Sequence, residues 1–264
     1  MIGFSVVIPA FGRPDELRRA VESVAAEQPD LVEIVIVDDC SPEPLEPCFG
    51  SRNGHGIRIR VVRLSRNRGP GVARAMGVRR ARQPYIAFLD SDDTFEKNKL
   101  DVLGRHLSDS GADLVFHPVE GADFYNGLMA FWSKSLRKVL PFNWLIALIN
   151  PIPTPGLVVR RLPRLGHPNL RHAEDWAFLL RYVDGSTRVD YVPRLLARLH
   201  RPIGSEGGLS HARAAMRAGE FAARRLVLRR LTVGNLIRFA LGSAAGSLRL
   251  VADKARHLEK RRDH

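Results

Sequence analysis

Cysteine is nearly missing from this chain. Only Cys40 and Cys48 occur in 264 residues. Neither belongs to a Cys/His spacing that would hold a metal, so both are expected as free thiols in a reducing compartment. The opening stretch "MIGFSVVIPAFG" lacks the basic start and long apolar run of a signal peptide, which fits a cytosolic location. Long apolar runs are scarce elsewhere too. Ten residues, 239–248, separate Arg238 from Arg249 in the tail, far fewer than the roughly 20 that span a bilayer, so no crossing is expected. Glycine-rich signatures of a dinucleotide site or a P-loop are also lacking. Acid is in short supply: 28 Asp and Glu stand against 41 Lys and Arg, for a net charge of +13.

What is present is ordinary globular usage, 45% hydrophobic and 26% charged, enough for one large core or two modest ones. The basic surplus is concentrated at the end. Residues 211–264 hold 13 Lys and Arg against 4 Asp and Glu, a surplus of nine, whereas residues 1–210 hold 28 against 24, a surplus of four. Nucleic acid, an anionic membrane surface or solubility alone would each account for such a tail.

The first 120 residues alternate strand-like and helix-like segments. "FSVVIP" (4–9), "EIVIVDD" (33–39), "IRVVRLS" (59–65), "YIAFLD" (85–90) and "DLVFHPV" (113–119) are short β-branched runs. Leu17, Ala20, Val21 and Val24 trace one helical stripe between the first two. Such alternation predicts an α/β fold, a mainly parallel sheet flanked by helices. Runs such as "VVI" and "IVIV" suit strands buried on both faces.

In open α/β sheets ligands bind beyond the carboxyl ends of the strands. Here those ends read Pro9-Ala10-Phe11, Asp38-Asp39-Cys40-Ser41 and Asp90-Ser91-Asp92-Asp93. Asp and Ser also serve as turn and cap residues, and for Asp38-Asp39 that plainer reading stands beside the functional one. A cap needs one carboxylate, however, and residues 90–93 supply three. Like charges that close repel. A hard divalent cation, Mn²⁺ or Mg²⁺, gripped together with a diphosphate, would offset them. In "LSRNRGPGVARAMGVRRA" (64–81), Gly69-Pro70-Gly71 turns the chain and Pro70 can open a helix carrying Arg74. A helix start with a nearby Arg suits phosphate, although a turn with a solvated Arg face has the same pattern.

Together, "FSVVIPAFGRPDELRRAVESV", "EIVIVDDCSPE", "RLSRNRGPGVARAMGVRRARQPYIAFLDSDD" and "HAEDWAFLLR" resemble the inverting GT-A glycosyltransferases of family 2 over residues 4 to 200. The resemblance implies a GT-A fold with a helical C-terminal extension, and a nucleotide-sugar donor, a UDP-sugar foremost. It implies Pro9, Ala10, Phe11 and Asp39 at the nucleobase, with Asp38 supporting the turn. Asn67, Gly69 and Arg74 would lie near the nucleotide or its diphosphate, and Asp90, Ser91 and Asp93 near ribose and sugar. Asp92 would be the principal metal ligand and Asp175 the general base, with Glu174 and Trp176 shaping the acceptor site. His200, in an R-x-H stretch, matches a position where the family places a second metal ligand; a lone polar His is the alternative. Two departures bear on donor identity: Arg74-Ala75 replaces an Arg-Asn pair, and Phe11-Gly12 replaces aromatic-Asn.

The implied division is a donor half (1–120), an acceptor and base half (121–205) of the same GT-A domain, and a basic helical extension (206–264). An exposed Asp175 would be ionised near neutral pH and rely on geometry, while Glu174 and Asp175 also suit the first turn of a helix. Residues 121–170, aromatic and Leu-rich, form the variable acceptor half, with a Pro-rich loop from Asn150 to Gly156 near the acceptor. Gly204-Ser205 and Gly207-Gly208 suggest a loop over the donor or a connector. A helix over about 211–231 has Met216, Ala223 and Val227 near one face. With the apolar stretches after it, it would suit an anionic membrane and a glycan or lipid-linked acceptor, or else a solvated or dimer-forming helix pair. No nucleic acid is expected. A sugar-1-phosphate nucleotidylyltransferase would want a glycine-rich loop where this chain has "PAFGRPDE". A noncatalytic membrane adaptor would leave the carboxylates at the strand ends without a role.

Overall fold

The computed structural model describes residues 2–162, 170, 172–202, 213–225, 234, 237–244 and 246. Seven strands form the main sheet: β1 (Phe4–Ala10), β2 (Val32–Asp38), β3 (Arg58–Arg63), β4 (Tyr85–Phe88), β6 (Leu114–Phe116), β7 (Leu157–Arg160) and β8 (Val189–Tyr191). Their order is β3-β2-β1-β4-β7-β6-β8. The β7 strand runs antiparallel to both neighbours, and the other pairs are parallel. The expected mainly parallel sheet is present. The sheet draws strands from both sides of residue 120, so the donor and acceptor halves share it. Two further strands, β5 (Thr94–Phe95) and β9 (Ala197–Arg198), pair antiparallel beside it.

Burial explains the order. All seven residues of β1 and of β2 are buried, as continuous apolar runs require at the centre of a sheet covered on both sides. Edge strand β3 exposes Arg58 and Arg63 at its ends, charges of the kind that discourage edge-to-edge pairing. Side chains of β1 alternate between two apolar layers: Phe4, Val6 and Ile8 join Leu17, Val21 and Leu103 on one face, and Val7 joins Ile86, Phe88 and Phe178 on the other.

The described α-helices are α1 (Pro14–Glu22), α2 (Pro70–Arg80), α3 (Lys99–Ser110), α4 (Asp123–Phe131), α5 (Phe142–Leu148), α6 (Glu174–Tyr182) and α7 (Arg213–Arg225). The expected stripe on α1 is buried, and Val24 just after it is buried too. Pro70 opens α2, and Gly69 before it has φ 85, a left-handed conformation that favours glycine. A Cβ on Gly77 would lie 2.3 Å from Val7 Cγ1; the bare glycine lets α2 settle directly on β1.

The described part of α7 runs Arg213–Arg225, and Val227, like the Gly204–Gly208 loop, lies outside the described residues. Ala223 is fully buried, and the Arg224 guanidinium lies 4.5 Å over the Trp176 ring. The described part of α7 is thus docked on α6. Among the described residues no helix is long and apolar enough to cross a membrane.

Candidate active site

The carboxyl ends of β1, β2 and β4 share one rim. Asp39 N–H donates to Ala10 O at 2.8 Å, tying the first two ends together. Asp38 is fully buried and accepts from the Ser41 and Leu45 N–H groups at 2.8 and 3.3 Å, and Arg63 pairs with it. Burial pushes its carboxyl up, but hydrogen bonds from Ser41, Leu45 and Arg63 outweigh that and hold it low. It is a fixed charge that closes a turn. Asp39, expected at the nucleobase, accepts from the Arg68 and Gly69 N–H groups at 2.8 and 2.7 Å and so draws the loop before α2 onto the rim. Pro9 and Ala10 are buried within β1, Phe11 beyond them is half exposed, and Asn67 is exposed. Gly12 has φ 63, and its N–H donates to Ser41 Oγ at 2.7 Å. Gly and Asn are the residues that adopt this left-handed conformation most readily, so Gly where the resemblance expects Asn preserves the backbone path.

The acidic turn after β4 is tight. Asp93 N–H donates to Asp90 O at 3.1 Å, and Arg19 Nη2 donates to Asp92 O at 2.8 Å. Burial, then Asp90 and Asp92, push the Asp93 carboxyl up to about 8. Burial and Asp90 also raise Asp92, whose Oδ2 lies 3.7 Å from Arg201 Nε. The β5–β9 pairing brings His200 to this turn across 107 positions, where its backbone N–H donates to Asp93 Oδ1 at 3.2 Å. Its Nε2 lies 2.9 Å from Thr94 Oγ1, and burial, then Arg19 and Arg198, lower its pKa. Among the described residues no three His, Cys, Asp or Glu side chains converge to hold a metal unaided. Several hard oxygen donors on one partly exposed turn nevertheless fit a Mn²⁺ or Mg²⁺ whose coordination is completed by phosphate oxygens. Asp92 is the best-placed ligand, because it is partly exposed while Asp93 is buried. Ser91, partly exposed, completes the turn.

Behind the turn, Arg74 is buried rather than free to reach a diphosphate. Its Nη1 donates to Glu174 Oε1 at 2.6 Å, and its Nη2 pairs with Asp90. Burial works against the guanidinium charge, but Asp90 and Glu174 outweigh it and keep Arg74 protonated. Glu174, expected at the acceptor, is likewise buried, and burial raises its carboxyl to about 7. A Cβ on Gly71 would lie 2.8 Å from Glu174 Cβ, so the glycine of the Gly69-Pro70-Gly71 turn makes room for this contact. Arg74 and Glu174 therefore link the rim to α6.

One position further along α6, Asp175 lines a cleft of about 750 Å³ together with Asp90, Asn150 and Trp176. Asn150 Nδ2 donates to Asp175 Oδ2 at 2.8 Å. Burial raises the Asp175 carboxyl, against Arg74, the Trp176 N–H and Asn150, which lower it. The expected exposed aspartate of ordinary pKa is thus corrected: this one is partly enclosed and shifted towards the range useful to a general base. Trp176 is 2% exposed and donates through its indole N–H to Ile146 O at 2.6 Å, so it forms a fixed wall. The cleft's outer wall includes Phe124 of α4, 71% exposed, and Arg217 and Glu220 of α7.

Several of these participants escape sequence reasoning. Arg217 and Glu220 look like surface charges of a basic helix, and only docking of α7 turns them inward. Lys99 opens α3 like an ordinary cationic residue, yet it is fully buried, with Nζ 2.6 Å from Pro155 O and 3.4 Å over the Phe95 ring. It anchors the Pro-rich loop beneath the cleft. Beside it His117 is buried, held well below its ordinary pKa by burial and then by Lys99.

Known proteins resemble this arrangement in sequence and in shape. The succinoglycan biosynthesis protein ExoO of Rhizobium meliloti (strain 1021) is 38% identical over 144 residues, 54% of this chain and 41% of its own. The putative teichuronic acid biosynthesis glycosyltransferase TuaG of Bacillus subtilis (strain 168) is 38% identical over 97 residues, 37% of this chain and 38% of its own. This chain thus spans about two fifths of the length of either relative. In shape it matches S. aureus TarS 1-349 in complex with UDP-GlcNAc, with TM-score 0.72 and 19% identity over 92% of this chain and 72% of that one. It also matches the mannosyltransferase PcManGT from Pyrobaculum calidifontis in complex with GDP-Man and Mn2+, with TM-score 0.63 and 15% identity over 97% and 81%. At such identities the likeness speaks for the fold alone. The family model "Glycosyl transferase family 2" matches residues 5–156, more than half of the chain, and the chain belongs to that family.

Proposed function

We propose that the chain is an inverting glycosyltransferase that moves a hexosyl group from a UDP-sugar to a hydroxyl of a glycan or lipid-linked acceptor in cell-surface polysaccharide synthesis. One observation carries the reading: Asp90 of the acidic turn and Asp175 of α6 line a single cleft. A donor held by the turn and an acceptor held beside Asp175 would meet there. Relatives named for succinoglycan and teichuronic acid biosynthesis support the polysaccharide context, and a neighbour of the same fold holds UDP-GlcNAc.

The chemistry is a single displacement. Asp175 takes the proton of the acceptor hydroxyl, whose oxygen bonds to the anomeric carbon from the face opposite the diphosphate. The anomeric carbon–oxygen bond to the diphosphate breaks, and the nucleoside diphosphate leaves with the electron pair. Asp92, with His200 nearby, would hold a Mn²⁺ or Mg²⁺ whose Lewis acidity, when bound, offsets charge on the leaving phosphates. Asp39 and the β1 end face the nucleobase in this reading, and Asp90 the donor sugar. Arg74 holds Asp90 and Glu174 in register, so that the base on α6 is fixed relative to the donor turn. The basic surplus of residues 211–264 fits a peripheral position on an anionic membrane surface.

A thermal-shift screen of nucleotide sugars with and without Mn²⁺ tests the reading, because a ligand that binds only the native state raises its apparent stability. A UDP-sugar should raise the melting temperature in a metal-dependent manner, and Asp92→Ala should abolish that rise. A chain stabilised by no nucleotide sugar under any metal condition would not be this enzyme.

A further inference from the structure

The geometry points to Asn150 as a positioning residue for the general base: its carboxamide holds Asp175 Oδ2 and thereby leaves Oδ1 as the oxygen presented to the acceptor hydroxyl. The inference rests on Asp175 being the base, as proposed above.

Three observations carry it. Asn150 lies just past α5, at the start of the Pro-rich loop, and its Nδ2 meets Asp175 Oδ2 at 2.8 Å across 25 positions of chain. Both residues line the cleft. A carboxylate only accepts, so the nitrogen is the end of the amide that must face it. The other end is left wanting: among the described residues Asn150 Oδ1 is buried with no hydrogen-bond partner. A buried acceptor without a donor is uncommon and asks for a reason. A carboxamide serving only the fold would be expected to satisfy both of its ends. Here the orientation is set by Asp175 at the expense of Oδ1, as expected of a residue whose task is the carboxylate.

The contact also joins two parts of the site. Asn150 opens the loop whose far end, Pro155 O, is held by buried Lys99, and Ile149 to Pro155 supply much of the cleft's acceptor wall. A shift of that loop therefore moves the base, and an acceptor that seats against the loop also sets the base's aim.

Electrostatics bears on the same point. The charged groups around Asp175 are Arg74 from α2, Asp90 from the turn after β4, Glu174 on its own helix, and Arg217 and Glu220 of α7 on the cleft wall. Asp90 and burial favour the neutral acid; Arg74, the Trp176 N–H and Asn150 favour the ionised base. Loss of the Asn150 donor should therefore raise the pKa of Asp175, and the enzyme would need higher pH to work.

The test is the pH profile of kcat for UDP release from a UDP-sugar, with water as acceptor, in wild type, Asn150→Ala and Asn150→Asp. Asn150→Asp keeps the shape and replaces the donor by an acceptor. The acidic limb should move upward in both variants, by on the order of one pH unit in Asn150→Ala and by more in Asn150→Asp. At a pH on that limb kcat should fall roughly 10-fold or more and recover as pH rises, while KM for the donor stays near wild type. An unmoved limb in folded variants overturns the inference. So does failure of both variants to fold, because a group that only aims the base is not required by the core. Asp175→Asn, run alongside, separates the two claims: if it keeps turnover, the base assignment itself falls, whereas if it is inactive and the limb stays put, only the role of Asn150 falls.

Discussion

The two ends of the cleft are built in opposite ways. At the proposed donor end, three carboxylates crowd a four-residue turn, where burial first and then the neighbouring carboxylates raise Asp92 and Asp93. At the proposed base end, opposing influences meet on Asp175: Arg74, the Trp176 N–H and Asn150 favour its charge, while burial and Asp90 oppose it. On the proposed reading one end invites an external cation and its phosphate ligand, whereas the other draws its counter-charge from Arg74 and a hydrogen bond from Asn150. Binding and chemistry should accordingly separate under mutation.

The largest effect is expected at the base. Asp175→Asn should lower transfer by roughly 10²–10⁴-fold while UDP binding, measured calorimetrically with Mn²⁺, stays within a few-fold of wild type. Parallel loss of both would break the division between the two ends. Next comes the link between them. Arg74→Met strips the buried partner from Asp90 and Glu174, and removing one member of a buried ion pair costs about 3–5 kcal/mol. Urea unfolding should register that loss, and an unchanged midpoint would mean that the two ends are not tied through Arg74.

A smaller effect tests the link by pH. Burial raises Glu174 in the folded protein, so the native state binds its proton more tightly than the unfolded chain does. Stability from this group is complete below the ordinary carboxylate pKa and is lost as pH rises towards about 7. Glu174→Gln should flatten that decline in melting temperature between about pH 4 and 7; a decline as steep as in wild type would assign it to other groups. Smallest of all, breaking the Arg105–Glu27 pair, whose side chains are 68% and 70% exposed, should change stability by well under about 1 kcal/mol. A larger loss there would show that exposed charge pairs weigh more in this basic protein than the buried link argument assumes.

How much of this was readable follows the same division. The proposed donor end is local in sequence: β1, β2 and β4 are apolar runs, Asp38-Asp39 closes β2 and Asp90 follows just after β4, so the sequence reveals both the strands and the acidic rim. Short pieces were not readable. The β5 and β9 strands have two residues each, too few for any period, and exist because they pair with each other; yet that pairing is what brings His200 to the acidic turn. The β7 strand, "LVVR", gives no sign that it runs antiparallel between β4 and β6. At the base end, the Arg74–Glu174 bond spans 100 positions and the Asn150–Asp175 bond spans 25. Both are products of helix packing, which composition and spacing do not encode. The apparent acceptor residue Glu174 and the apparent phosphate residue Arg74 proved to be partners of each other for that reason.

The most direct measurement is the anomalous signal of manganese in crystals grown with UDP and Mn²⁺. The account expects one peak at inner-sphere distance, about 2.0–2.3 Å, from an Asp92 carboxylate oxygen, with the diphosphate on it and the nucleotide leading into the cleft that holds Asp175. Manganese and UDP bound away from residues 90–93, or a nucleotide lying outside that cleft, would contradict it.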